Sequence, residues 1–94
     1  MRVLSRKTLR QFWDLREDAR DALTTWFTVA EKADWHSLIN VQETFRTAEF
    51  ANGYTVFNIK GNKYRLIVKM EYTKKLVFIK CVLTHAEYDK GNWK

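Results

Sequence analysis

The hydrophobic period of this 94-residue chain changes once, at Gly53. Before that point apolar residues recur at helical spacing; after it they alternate with the two-residue period of a strand. Helices followed by strands, rather than alternating with them, define an α+β domain in which a helical layer covers one face of an antiparallel sheet. With 46% apolar content the chain can fill one core and not two. Residues 1–94 therefore read as a single domain.

In the helical half, Arg2 to Leu4 is a candidate short strand, and Ser5 stands where a cap would start a helix carrying Leu9, Phe12 and Trp13 on one side. Ala19, Ala22, Leu23, Trp26, Phe27 and Ala30 then follow the i, i+3, i+4, i+7 pattern, with Asp18, Asp21, Thr24, Thr25 and Thr28 opposite. The two segments make a helical hairpin with an aromatic face. Trp13, Trp26 and Phe27 accordingly read as core, not as rings for a ligand. From Asp34 to Phe50 the pattern weakens; Trp35, Leu38, Ile39 and Phe45 suggest a short helix and a connection, and His36 reads as a surface or capping residue.

Beyond Gly53, Tyr54 to Ile59 makes a strand, Gly61-Asn62 a two-residue turn, and Lys63 to Tyr72 the return strand of a hairpin. Tyr64, Leu66, Val68, Met70 and Tyr72 share one face for the helices; Lys63, Arg65, Ile67, Lys69 and Glu71 share the other, which is expected to stay cationic. A Thr73-Lys74-Lys75 turn leads to Leu76–Leu83, apolar except for Lys80, as in a well-covered central strand. The expected architecture is a helical hairpin on an antiparallel sheet of three to four strands. Asp89 to Lys94 is expected to be a tail or a terminal turn.

Charge narrows the function. Residues 60–94 hold nine Lys/Arg against three Asp/Glu, whereas residues 1–59 hold eight of each, so the net +6 is confined to the strand-patterned half. A basic sheet face ending in a histidine suits a polyanion. Cleaving RNA without a metal needs a base for the 2′-hydroxyl proton, cations for the phosphorane charge and an acid for the leaving oxygen. Arg65, at mid-strand, has the planar fork to grip a phosphate. Lys60 and Lys63 flank the turn, and Lys69 lies about 13 Å from Arg65 along the same face. His85 follows the last strand, with Tyr88 near enough to share its cleft as a proton donor or a stacking ring. Glu87 and Asp89 are two apart, which leaves a bound divalent ion open but reads more simply as solvated carboxylates.

Other chemistries lack their residues. Cys81, the one cysteine, lies in an apolar run as a small hydrophobe, in keeping with a reducing compartment. His36 and His85 lack ligand spacing, and no glycine loop cradles a phosphate, so no cofactor is expected. Neither an export-type leader nor a run near the roughly 18 apolar residues of a membrane span is evident. The expectation is a cytoplasmic protein with no membrane partner.

The runs YTVFNIKGNKYRLIVKMEY and KLVFIKCVLTHAEYDKGNW resemble the HigB family of toxins, a branch of the RelE-like superfamily in bacterial type II toxin–antitoxin systems. The similarity includes the hairpin and the THAEYDK ending, covers about the last 45 residues strongly, and extends more loosely over the helical half. It implies a small RelE-like domain, a metal-independent endoribonuclease (mRNA interferase) that cuts mRNA on the ribosome, and silencing by a HigA-like antitoxin carrying a helix-turn-helix DNA-binding domain. By position, Arg65 matches the arginine expected at the scissile phosphate and His85 a proton-transfer residue. Tyr88 and Lys90 fall where the superfamily keeps a tyrosine or a basic residue near the cleft. Lys60, Lys63 and Lys69 would bind RNA or ribosome, and Asp89 either orients His85 or acts as a cap. Two other readings stay open: a toxin of the same fold acting on a protein such as gyrase, and a non-catalytic RNA- or ribosome-binding module.

Overall fold

The computed structural model describes all 94 residues. Its elements run β1 (Arg2–Leu4), α1 (Lys7–Leu15), a 3-10 turn (Glu17–Ala19), α2 (Arg20–Lys32), α3 (Leu38–Thr44), β2 (Glu49–Ala51), β3 (Tyr54–Ile59), β4 (Tyr64–Glu71), β5 (Leu76–Thr84) and α4 (His85–Lys90). The five strands form one sheet in the order β1-β5-β4-β3-β2. All neighbours are antiparallel except β1, which runs parallel to β5. The expected α+β architecture holds, and two three-residue edge strands make the sheet wider than three or four strands.

The helical stripes do what their spacing predicts. Leu9 of α1 and Leu23, Trp26 and Ala30 of α2 join Phe57, Leu66, Val68 and Val77 in an 18-residue core on one face of the sheet. Trp26 meets Phe57 edge-on at 5.3 Å, and Phe12 meets Tyr64 edge-on at 5.1 Å. Trp13 and Phe27 pack at the margin of this core. Ser5, however, is no side-chain cap: its backbone lies at φ 68° and its carbonyl accepts from Thr8 N at 2.9 Å. The α1 helix begins without a side-chain cap hydrogen bond.

A bulge in β5 extends the core. Ile67 pairs with Cys81 and Val68 with Ile79, so Lys80 has no opposite number. The extra residue reverses the alternation, which lets Val77, Ile79 and Val82 all join the helix-side core while Cys81 and Leu83 face the other way. The β3–β4 connection also differs from a two-residue turn. It spans Lys60 to Lys63, with Lys60 and Gly61 both in the left-handed region at φ 54° and 65°.

The second face is not the open cationic surface expected. Ile67 and Arg65 are buried, with Arg65 only 8% exposed, because the C-terminal residues cross over them. Residues 85–90 are helical, so the helix runs into the Asp89–Lys94 segment expected to be a tail or a terminal turn, and Trp93 folds back to close a small cluster with Val56 and Ile67. No helix is long and apolar enough to cross a membrane.

Candidate functional site

Residues 62–64, where β4 begins, are held from three sides. The buried Arg65 donates from Nη1 to the carbonyls of Asn62 (3.1 Å) and Tyr64 (3.3 Å), and from Nη2 to Asn62 Oδ1 (2.7 Å). These acceptors, with the Tyr88 ring 5.5 Å from its guanidinium carbon, offset the cost of burying the charge. The His85 amide donates to the Lys63 carbonyl at 3.0 Å. From the helical layer, Asp18 accepts from Lys63 Nζ and, at 2.6 Å, from the Tyr64 hydroxyl.

In that last cluster the neighbours favour the charged forms of Asp18 and Lys63 and the neutral hydroxyl of Tyr64. The Lys63 ammonium, then the Tyr64 hydroxyl, hold the Asp18 carboxyl below the usual carboxylate range. Asp18 in return raises both Lys63 and Tyr64 above their ordinary values. The 3-10 turn that carries Asp18 is thereby tied to the hairpin 45 residues later.

Helix α4 starts with a reciprocal cap. The Thr84 hydroxyl accepts from Glu87 N at 3.2 Å, while Glu87 Oε1 accepts from Thr84 N at 2.9 Å. The Thr84 backbone bond, its largest influence, keeps Glu87 ionised to below the usual pH. Gly91 ends the helix in the left-handed region at φ 73°. The sequence signal was present: Thr84-His85-Ala86-Glu87 is the T-x-x-E pattern of a capping box.

His85 is therefore the first residue of a capped helix and not a loose residue beyond a strand. Its Nδ1 lies 3.0 Å from Asp89 Oδ2, one turn on, and Nε2 has no partner. Asp89 thus contacts His85, while the cap at the start of α4 is made by Thr84. Glu87 is engaged at the cap instead, so the two carboxylates do not converge on a common point. His85 lines a groove of about 590 Å³ with Lys63 and Tyr64 on one side and Leu15, Arg16 and Asp18 on the other.

The remaining sequence-predicted residues are distributed around α4. Tyr88 turns away from His85: its hydroxyl donates to Glu49 at 2.9 Å and its ring stacks on Trp93 at 5.1 Å and 15°. Burial, then the Glu49 bond, pushes the Tyr88 pKa up. Lys90 lines a separate depression with Lys80, Cys81, Glu87 and Trp93. Lys60 and Lys69 are exposed, and neither lines the His85 groove. Burial also raises the Cys81 thiol pKa. The structure thus brings His85, Asp89 and Lys63 together, places Arg65 and Tyr88 in a supporting cluster beside them, and sets Lys90 on the far side of the helix. Sequence reasoning missed Asp18, Arg16 and Trp93; the first two lie in the charge-neutral half, and no local pattern marks the third.

Helices packed on one face of a largely antiparallel sheet are consistent with the RelE-like class of toxin folds, and the groove at His85 carries Arg16 and Lys63 balanced by Glu17 and Asp18. Residues 19–91 match the HigB toxin family, the RelE-like toxic component of a toxin–antitoxin system, and the chain belongs to that family. The mRNA interferase HigB of Escherichia coli O6:H1 is 28% identical over 72 residues, covering 73% of this chain and 70% of that protein. Family membership brings with it an antitoxin partner. All the sequence-predicted site residues, Lys60 to Lys90, lie within the matched segment, whereas Arg16 precedes it.

Proposed function

We propose that the chain is a metal-independent mRNA interferase, acting in the cytoplasm on messages engaged by the ribosome and silenced by a HigA-like antitoxin. The observation that carries this reading is the His85–Asp89 pair at the mouth of the groove. The carboxylate fixes the ring through Nδ1 and leaves Nε2 facing substrate. The relation to an mRNA interferase supports RNA as that substrate.

In the proposed step Nε2 takes the proton of a 2′-hydroxyl, and the oxygen attacks the adjacent phosphorus. The bond from phosphorus to the 5′-oxygen breaks, water protonates that oxygen, and a 2′,3′-cyclic phosphate remains. Lys63, anchored by Asp18, contributes positive charge at the groove as the phosphorane forms. Arg65 and Tyr88 act as positioning residues, holding the turn and α4. Lys60, Lys69 and Lys90 lie outside the groove and offer cations to RNA or ribosome elsewhere on the surface.

The test is a translation reaction programmed with a defined mRNA, with 5′ ends mapped by primer extension. New ends that depend on translation, vanish with His85→Ala and weaken with Asp89→Asn are expected. Intact mRNA with folded wild-type protein would refute the reading and favour a protein target.

A further inference from the structure

The groove at His85 does not end at Arg16. Leu15 and Arg16 also line a second depression of about 470 Å³, between α1 and β5, completed by Phe12, Val82, Leu83 and Glu87. It opens where β5 has run past its partner: β1 pairs only with residues 76–78, so the rest of β5 has no strand on that side.

We propose that this notch is a subsite for one nucleobase of the RNA strand that reaches His85, with Arg16 gripping the phosphate between the two nucleotides. The inference rests on the ribonuclease reading and adds to it a residue and a base preference.

Continuity is the first argument. A strand occupying two adjoining depressions must pass its linking phosphate over the residues common to both, and the cation there is Arg16. Availability is the second. The side chain of Arg16 makes no hydrogen bond or ion pair, whereas Arg65 has three bonds to the turn and Lys63 is paired with Asp18. An exposed guanidinium keeps its whole donor fork for a phosphate.

The lining supplies the third argument. Four of the six residues are apolar, and Leu15 is 85% exposed, an unusual position for a leucine beside a charged groove. A base face would cover it at little desolvation cost. At the polar end, Glu87 gives Oε1 to the Thr84 amide and has no partner for Oε2. A carboxylate only accepts hydrogen bonds, so it favours a base with an exocyclic amine, adenine, cytosine or guanine, over uracil.

The test varies the nucleotides flanking a mapped cut in translated mRNAs and measures initial rates with wild type, Arg16→Ala, Arg16→Lys and Glu87→Gln. For wild type, one flanking position should favour amine-bearing bases over uracil by roughly 10-fold. Arg16→Ala should slow cleavage about 10- to 100-fold and flatten its salt dependence, with partial recovery in Arg16→Lys and an unchanged melting midpoint. Glutamine at position 87 can still accept from Thr84 N but presents an amide donor in place of Oε2, so the preference should move toward uracil. Wild-type rates in Arg16→Ala, or an unaltered preference in Glu87→Gln, would overturn the subsite while leaving the ribonuclease reading intact. Unchanged cleavage in Arg16→Ala with weaker antitoxin binding would assign the notch to the protein partner and also overturn it. No cleavage by wild type would remove both readings.

Discussion

The two faces of the sheet are built on different terms. The helix side joins 18 buried residues from every part of the chain up to Val82, whereas the other side closes around three, Val56, Ile67 and Trp93. The first face holds the fold together; the second holds one short helix in place, with Tyr88, Trp93 and the Arg65 guanidinium as its support. On the proposed function, the chemistry would sit on an element that lies outside the main core. The price is that the site depends on a few contacts.

The contrast gives graded predictions. Phe57 is 1% exposed and touches Trp26 and Phe45 rings, so Phe57→Ala should cost about 3–5 kcal/mol, much of the stability of a small domain. Loss of a cooperative thermal transition is the expected readout. Trp93→Ala removes the cover of the small cluster and should cost about 2–3 kcal/mol, less than the full range because the core proper is untouched. Hydrogen exchange should quicken in α4 while β4 and β5 stay protected; uniform loss across the sheet would break the two-face distinction.

Smaller effects sharpen it. Thr84→Ala removes half of the capping box and should cost about 1 kcal/mol, lowering the melting midpoint by roughly 4–8 °C. The smallest effect belongs to pH. Asp18 is depressed below its ordinary pKa of 3.8, so its contribution is complete above that value and is lost as pH falls through the lower folded value. Lys63 and Tyr64 are raised above 10.5 and 10.0, so theirs is complete below those values and lost as pH rises through the folded ones. Between about pH 5 and 9 this cluster's contribution should therefore be fully present, and melting midpoints should show little pH dependence from it. They should fall in acid less steeply for Asp18→Asn than for wild type.

The helix-side face was legible because periodicity writes it directly: Ala19 to Ala30 and Tyr64 to Tyr72 name their own buried sides. The second face was not, since Trp93 reaches Val56 and Ile67 through a fold-back that no local period encodes. β2 was missed for a related reason; Glu49-Phe50-Ala51 is too short to alternate and is a strand only by pairing with β3. His85 and Lys63, singled out by charge and position, line one groove, and the Thr84 cap was written in the sequence as T-x-x-E. Arg65 was placed on the right face by its alternation. What alternation could not show was the turn carbonyls at Asn62 and Tyr64 that occupy its guanidinium. Asp18 and Arg16 stayed hidden because net charge, summed over the first 59 residues, cancels them.

On the proposed function, the second face holds α4, and with it His85, against the groove. The most direct test is the rate of translation-dependent mRNA cleavage by Trp93→Ala at a temperature where the protein remains folded. A loosened α4 should misplace the imidazole and lower the rate about 10- to 100-fold. A wild-type rate, with α4 shown to be frayed, would contradict the account.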